Sequence, residues 1–415
     1  MRKSVLRCRH ALVGCFALAL AAGPVSAVQI DLAKDTSAYS KEKGFGFEAD
    51  STVTVAGSAV TSDKPFYYSV AEPEGNYKVT VTLGGNPDAA SDTTVKAELR
   101  RLMLWDVKTD AGKTETKSFI VNVRVPEYPG GKVKLKSPRE TTAEAWGWDD
   151  KLTLEFNGKK PTVQSITIEK ADVPTIYILG DSTVCDQSGE PFASWGQMLP
   201  RFFKPDIAVA NHAESGETLA SSQGAHRLDK VLSLIKPGDY LLIQFGHNDM
   251  KSKAPNAPET YKATIKEWAE KVKAKGASFV VITPMNRHSF QGNTVTNSLQ
   301  AYPQMARDAA KEENVPLIDL NAMSKVMYEA LGPTPSLQLF EHDAEGKHYD
   351  QTHHSDYGAY ELASCVMQGM RDDKLDLADH ILPDVPTFDP AKPATEAEIS
   401  IPPSPHVTNQ RPLGD

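Results

Sequence analysis

The hydrophobic pattern of this 415-residue chain changes its period near Pro174, and this change constrains the fold more than any other feature. Beyond it, five short apolar runs typical of buried strands recur, and segments of helical period separate them. The runs are residues 175–179, 207–211, 240–245, 278–283 and 315–320. In the clearest helical segment, 259–276, apolar side chains share one face and Gly276 stands at the end. Buried strands joined by helical crossovers predict an α/β domain over residues 173–373, with a five-stranded parallel sheet and helices on both faces.

A period of two dominates residues 28–172. In residues 77–83, for example, every second side chain is apolar and the residues between them are polar. Turn-forming clusters such as residues 84–88 separate these runs, and no long helical pattern occurs. We therefore expect this part to be an all-β sandwich that precedes the α/β domain.

The first 27 residues have the form of a secretory signal peptide. A basic start is followed by an apolar core over residues 11–22 and by small residues before Val28. We expect cleavage after Ala27 and a secreted or periplasmic protein, without membrane insertion once the signal is removed. A lipid anchor at Cys15 is the alternative, and it is disfavoured because the apolar core follows this cysteine instead of preceding it.

The last part of the chain, residues 374–415, has a different composition. It carries eight prolines from Pro383 onward and no periodic apolar pattern. This composition predicts a Pro-rich tail or a wrapping segment without a core of its own.

Charge and cysteine content exclude several classes of protein. The formal net charge is −9 and becomes −13 when the four cationic side chains of the signal are removed. An acidic protein is a poor partner for nucleic acid or for anionic membranes. Only Cys185 and Cys365 remain after cleavage, and either one disulfide or two buried thiols fits this pattern. The sequence does not set the oligomeric state.

Small or polar residues follow the predicted strands at the edge where α/β proteins bind ligands. Ser182 follows the first strand, Gly216 the second and Asn248 the third, while Asp350 and His353 stand three residues apart ahead of a helical segment. Each has a plain alternative. Serine, glycine and asparagine are common turn or capping residues, and a carboxylate beside an imidazole is often only solvated surface.

In combination, these segments resemble the marker blocks of the SGNH or GDSL-like hydrolases, and within them the rhamnogalacturonan acetylesterase branch. The blocks occur in the family's order as "GDST", the glycine of "NHAESG", "GHND" and "DQTH". The resemblance covers about half of the chain, residues 173–373, and implies a flavodoxin-like sheet and an ester hydrolase that needs no cofactor. The segment 148–169 resembles, more weakly, the galactose-binding-like β-sandwiches attached to carbohydrate-active enzymes.

This resemblance implies a role for each marker residue. Ser182 would be the nucleophile, His353 the general base, and Asp350 the group that orients the imidazole. The oxyanion hole would consist of the backbone N–H groups of Ser182 and Gly216 and the side chain of Asn248. No G-x-S-x-G motif surrounds a candidate serine, so the nucleophile elbow of the α/β-hydrolases is not expected.

Substrate-binding candidates follow from the same positions. Arg287 and His288 come just after the fourth predicted strand, and His354 adjoins the proposed base. Arg287 could hold a carboxylate of an acidic polymer, although a surface salt bridge is an equal alternative. Three tryptophans of the first half, Trp105, Trp146 and Trp148, could stack on sugars, but core packing is the commoner role.

A metal site is not expected. Acidic and histidine side chains gather over residues 341–350, but their spacing matches no ligand pattern.

Three functions remain open at this point. The leading one is a secreted esterase that removes acetyl groups from rhamnogalacturonan, an acetylated polysaccharide of pectin. The second keeps the same machinery for another ester, such as acetylated xylan or a lipid. The third is a carbohydrate-binding protein whose hydrolase-like half is inactive.

Overall fold

A computed structural model describes residues 27–343, 349–408 and 412–413 of the chain. The predicted signal peptide lies almost wholly outside the described residues. His348, one of the histidines considered for a metal site, lies outside them as well.

Residues 27–173, the described part of the chain before Pro174, contain strands and only two short helical turns. The strands are β1 (Val28–Asp31), β2 (Phe45–Phe47), β3 (Thr54–Ala56), β4 (Ala59–Thr61), β5 (Phe66–Ala71), β6 (Gly75–Gly84), β7 (Ser91–Ala97), β8 (Arg101–Thr109), β9 (Thr114–Val123), β10 (Glu127–Tyr128), β11 (Gly131–Lys132), β12 (Lys151–Asn157) and β13 (Thr162–Lys170). A π-helical turn at Arg139–Ala143 and a 3₁₀ turn at Ala145–Gly147 precede β12.

Eleven of these strands form two antiparallel sheets that share one core, while β10 and β11 pair only with each other. The first has the order β3-β4-β13-β6-β9, with β1 also paired to β13, and the second has the order β2-β5-β12-β7-β8. Every second side chain of β6 is buried, from Tyr77 to Leu83, as the alternation predicts. These side chains meet Leu154 and Phe156 of the opposite sheet in a common apolar cluster. Each sheet thus buries one face against the other, and the all-β prediction is confirmed.

The part of the chain after Pro174 alternates strands and helices. The strands are β14 (Thr175–Gly180), β15 (Ala208–Asn211), β16 (Tyr240–Gln244), β17 (Ser278–Ile282), β18 (Phe290–Gln291), β19 (Thr294–Val295), β20 (Leu317–Ile318), β21 (Phe340–His342) and β22 (Tyr349–His354). The α-helices are α1 (Trp195–Met198), α2 (Leu219–Gly224), α3 (Arg227–Leu234), α4 (Ala257–Lys273), α5 (Tyr302–Glu313), α6 (Leu320–Leu331) and α7 (Asp356–Asp372).

Five of these strands form the predicted parallel sheet, in the order β15-β14-β16-β17-β20. All of its neighbouring pairs are parallel, with Ile176 opposite both Val209 and Tyr240. The strand predicted over 315–320 is shorter than expected. Asp319 ends it because its carboxylate accepts the N–H of Ala322 and so caps α6.

Helices cover both faces of the sheet, as the sequence predicts. Successive residues of β14 point to opposite sides: Ile176 and Ile178 belong to one apolar cluster, and Tyr177 and Leu179 to another. The side chains of α4 that the pattern places on one face are all buried in the second cluster, while α7 packs in the first. None of the helices in the described ranges is long and apolar enough to cross a membrane.

The Pro-rich segment wraps over both halves of the molecule. Ile401 joins the apolar cluster under α7, and Ser404 Oγ donates to the Glu155 carboxylate of β12. The buried ammonium of Lys96 donates to the carbonyl of Pro402. Residues 401–404 of this segment therefore pack against both halves of the molecule.

Buried side chains answer two questions that the sequence leaves open. Cys185 and Cys365 are both described, and both are buried free thiols. Trp148 is only 7% exposed and lies 4.5 Å from the Arg124 guanidinium. Trp105 packs against Tyr360 of α7. These two tryptophans serve packing, which is the commoner of the two predicted roles.

Candidate active site

The order of the parallel strands explains why distant residues meet. Because β14 lies between β15 and β16, the loop after β14 is flanked by the loops after those two strands. Ser182 stands on the central loop, Gly216 on one neighbour and Asn248 on the other. The loops also touch: the N–H of Glu214 donates to the carbonyl of Gly180 over 3.1 Å. This is the carboxyl edge of the sheet, at the point where the chain reverses its direction of winding.

A tight turn at the end of β14 holds Ser182. The carbonyl of Asp181 accepts the N–H groups of Val184 and Cys185, each over 3.0 Å, which fixes the peptide that carries the Ser182 N–H. At Gly180 a Cβ atom would lie 2.7 Å from the Gln244 carbonyl oxygen, so the strand can approach β16 this closely only with glycine. The turn leaves Ser182 3% exposed.

Ser182, His353 and Asp350 form a continuous hydrogen-bonded chain. Ser182 Oγ lies 2.9 Å from His353 Nε2, and His353 Nδ1 lies 2.8 Å from Asp350 Oδ2. The second carboxylate oxygen of Asp350 accepts the backbone N–H groups of Thr352 and His353. When the carboxylate accepts from Nδ1–H, Nε2 of the neutral imidazole carries the lone pair and can accept the serine proton. The arrangement can thus transfer a proton from Ser182 to His353.

Asp350 and His353 lie on strand β22, directly ahead of the helical segment that the sequence predicts. Strand β22 pairs with β21 and leads into α7, where Ser355 caps the helix by accepting the N–H of Gly358. The ring of Phe192 contacts the His353 ring edge-on, with 6.1 Å between centroids. His353 is 1% exposed, so packing on several sides fixes its orientation.

The two other oxyanion candidates lie on adjoining loops. Gly216 has a φ of +75°, a conformation that favours glycine. The Asn248 amide donates one hydrogen bond to the carbonyl of Glu217, over 3.1 Å. An amide carries two N–H groups, so Asn248 retains a second donor. The loops of Gly216 and Asn248 are thus held together by a direct bond.

Arg287 and His288, two of the three substrate-binding candidates, lie on the segment that follows β17. Arg287 is partly buried, and its Nη2 lies 3.4 Å from the carbonyl of His247. His288 Nε2 lies 3.0 Å from the carbonyl of Pro333, and its backbone N–H donates to Gln351 on β22. Both residues therefore lie on a segment that contacts the β22 side of the site.

His354 is placed in the core. It has no exposed surface, its ring packs on Phe340, and its Nε2 lies 3.2 Å from the Tyr328 hydroxyl. Burial lowers the pKa of His354 to about 3. The substrate contact expected from its place beside His353 therefore finds no support here, because successive residues of a strand point in opposite directions.

A cluster of three buried carboxylates lies near the Gly216 loop. Carboxylate oxygens of Glu140, Glu144 and Glu214 lie within 4.8 Å of one another. Guanidinium groups already pair with them: Arg227 lies 2.6 Å from Glu140, and Arg139 lies 2.6 Å from Glu144. Cations of the protein itself thus offset this charge, so the cluster does not have the character of a metal centre.

Sequence reasoning missed one group that directly supports the serine. Gln187 Nε2 donates to the carbonyl of Ser182 over 2.6 Å. The guanidinium of Arg139, from the β-rich half, donates in turn to Gln187 Oε1 over 3.1 Å. No local pattern signals the contact of Arg139 with Gln187, because these two residues are 48 positions apart and belong to different halves of the chain.

Comparisons with known proteins identify the family to which the α/β part of the chain is related. Residues 176–366 match the model of the family described as GDSL-like lipase/acylhydrolase. The rhamnogalacturonan acetylesterase RhgT of Bacillus subtilis is 37% identical over 217 residues, which are 50% of this chain and 94% of that protein. The uncharacterized esterase YxiM of the same organism is 29% identical over 357 residues, or 80% of this chain and 85% of the relative.

Among solved structures, the crystal structure of the YXIM protein of Bacillus subtilis aligns with 85% of this chain and 99% of its own. The sequence identity in that alignment is 26% and the TM-score is 0.48. The match to RhgT, at 37% identity over almost all of that protein, is the one that decides the family. This chain belongs to the GDSL-like lipase and acylhydrolase family, and it is a carboxylic ester hydrolase.

Proposed function

We propose that this protein is an acetylesterase that removes acetyl groups from rhamnogalacturonan, with Ser182 as the nucleophile. The observation that carries the proposal is the unbroken chain from Ser182 Oγ through His353 to Asp350, with distances of 2.9 and 2.8 Å. A neutral serine hydroxyl is a weak nucleophile, and an adjacent oriented imidazole is what activates it.

The reaction proceeds in two halves. Ser182 Oγ attacks the acetyl carbonyl while its proton passes to His353 Nε2, and the carbonyl oxygen becomes an oxyanion. When the tetrahedral intermediate collapses, the ester bond breaks and the same proton passes to the leaving sugar oxygen. Water then attacks the acetyl-serine, His353 takes a proton from it, and the second collapse releases acetate and returns the proton to Ser182.

Three donors stabilise the oxyanion in this proposal. They are the backbone N–H groups of Ser182 and Gly216 and the free N–H of the Asn248 amide. The hydrogen bonds that fix these loops support the assignment, because donors held in place before reaction need no reorganisation during it.

The name of RhgT, a rhamnogalacturonan acetylesterase, supports the choice of polymer. Rhamnogalacturonan is acidic and the chain carries a formal charge of −9, so long-range attraction does not explain binding. A local cation is required, and we assign Arg287 to the galacturonate carboxylate, with His288 beside it.

We also propose that the protein works outside the cytoplasm. The basic start, apolar core and small residues of the first 27 positions support export and cleavage before Val28. Sequencing the amino terminus of the exported protein tests this, since an uncleaved chain in the cytoplasm would contradict it.

Acetate release from a panel of esters tests the substrate. The panel contains acetylated rhamnogalacturonan, acetylxylan, and a long-chain aryl ester, each with Ser182→Ala as the blank. We expect the highest kcat/KM on rhamnogalacturonan. A preference for acetylxylan or for the long-chain ester would replace the proposed substrate, and release by Ser182→Ala equal to that of the wild type would overturn the mechanism.

A further inference from the structure

We propose that Lys136 and Arg139, which lie outside the hydrolase-like half of the chain, are positioning residues for the oxyanion hole. The inference rests on the proposed function, since it concerns the same N–H donors. It assigns part of the catalytic site to the segment between β11 and β12, so the β-rich half becomes a component of the site.

Lys136 acts on the peptide that carries the Gly216 N–H. Its ammonium donates to the carbonyl of Ser215 and pairs with the Glu217 carboxylate over 2.9 Å. The Ser215 carbonyl and the Gly216 N–H belong to one planar peptide unit. A cation on the carbonyl side therefore fixes the direction of the N–H and increases its partial positive charge.

Arg139 links the two loops that supply backbone donors. Its Nε donates to Glu214 Oε1 over 3.1 Å, two residues before Gly216. Its Nη2 donates to Gln187 Oε1 over 3.1 Å, and Gln187 Nε2 donates to the carbonyl of Ser182. One rigid guanidinium thus sets the spacing between the Ser182 turn and the Gly216 loop.

The segment that carries these residues is itself fixed. Glu140, one residue after Arg139, pairs with Arg227 of α3 over 2.6 Å, and both side chains are fully buried. The Glu140 carboxylate also accepts the backbone N–H of Lys136 over 2.7 Å. Lys136 and Arg139 therefore approach the Gly216 loop from a rigid base.

The expected signature is a loss in kcat. The hydrogen bond from the polarised Gly216 N–H is strongest when the oxyanion carries its full charge. Losing this polarisation therefore destabilises the transition state more than the bound substrate. We expect Lys136→Met to lower kcat about 10-fold on a small ester, with KM unchanged. The effect is smaller than that of deleting a donor, because the Gly216 N–H is still present.

The experiment measures kcat and KM on p-nitrophenyl acetate and the affinity for methylboronic acid, which mimics the tetrahedral intermediate on serine. Lys136→Met should weaken the boronate by about the same factor as it lowers kcat. Lys136→Arg keeps a cation at this position and should retain most of the wild-type kcat and of the affinity for the boronate. Far-UV circular dichroism and the Tm show whether each variant folds.

A matched control lies two residues away. The Lys134 ammonium also donates to a backbone carbonyl, that of Gly224 over 3.1 Å, but at the far end of α2. Lys134→Met should leave kcat, KM and boronate affinity unchanged. Arg139→Lys keeps the positive charge but lacks the planar guanidinium whose separate N–H groups reach Glu214 and Gln187. The kcat of this variant should fall with KM unchanged.

Two outcomes would overturn the inference: a folded Lys136→Met with a kcat within twofold of the wild type, or an equal loss in Lys134→Met. If Ser182→Ala retains activity, the proposed function fails instead. If Ser182→Ala is inactive while Lys136→Met is unaffected, only the positioning role is wrong.

Discussion

Ser182 Oγ lies 2.9 Å from His353 Nε2, although the two residues are 171 positions apart in the chain. The first follows the central strand of the parallel sheet, and the second lies on a short strand that is not part of that sheet. The fold thus brings two separately positioned groups within hydrogen-bond distance. The proposed transfer of the serine proton to the imidazole depends on this distance.

The first prediction concerns Asp350. In Asp350→Asn the amide oxygen can still accept the backbone N–H groups of Thr352 and His353, so the local backbone geometry of β22 should survive. An amide N–H facing Nδ1 would, however, force the proton onto Nε2, where it blocks the serine. We expect kcat to fall about 10⁴-fold with the Tm nearly unchanged. A loss below tenfold in steady-state acetate release would show that the carboxylate does not orient the imidazole.

The second prediction concerns the amide of Asn248. Asn248→Ala removes one donor from the proposed oxyanion hole, and kcat should fall about 10² to 10³-fold with little change in KM. Asn256→Ala, at an exposed position before α4, is the matched control and should behave as the wild type. A large rise in KM with kcat preserved would assign Asn248 to substrate binding instead.

The third prediction concerns the imidazole of His353. His353→Ala removes the Nε2 lone pair that accepts the serine proton, so kcat/KM should fall about 10² to 10⁴-fold. Circular dichroism shows whether the variant stays folded. Activity of folded His353→Ala within twofold of the wild type would contradict the role of His353 as base.

The sequence predicted the catalytic half well because its signals are local. Buried strands such as residues 240–244 read as continuous apolar runs, and α4 shows one apolar face. Ser182, Gly216 and Asn248 each follow such a strand directly. Once the strands and their order are known, their convergence follows from topology.

Contacts between the two halves could not be predicted in this way. Lys136 reaches Ser215 across 79 positions, and Arg139 reaches Glu214 across 75. In the sequence, a lysine or arginine that makes such a contact looks the same as one whose charge is solvated at the surface. His354 is the converse case: its place beside His353 predicts a substrate contact, while its ring packs on Phe340 and its Nε2 lies 3.2 Å from the Tyr328 hydroxyl.

The fourth prediction concerns stability at alkaline pH. Burial and the neighbouring Glu214 carboxylate raise the pKa of Glu144 to about 9, and Arg139 offsets only part of this. The native state therefore keeps a proton that the unfolded chain releases above its ordinary value of 4.5, so Glu144 makes stability fall as pH rises between these values. In Glu144→Gln the free energy of unfolding should fall less between pH 5 and pH 9.

Urea unfolding at several pH values measures this difference. Glu115→Gln on β9, an exposed position, should leave the pH dependence unchanged. Equal slopes in Glu144→Gln and the wild type would show that Glu144 ionises in the native state as it does in the unfolded chain.

The most direct test of the account is covalent labelling of the nucleophile. A serine-directed fluorophosphonate should form one adduct per chain, which peptide mass spectrometry places on Ser182, and His353→Ala should react far more slowly while still folded. Ser182→Ala should take up no label. No adduct on folded wild-type protein, or an adduct on another serine with acetate release abolished, would contradict the assignment of Ser182.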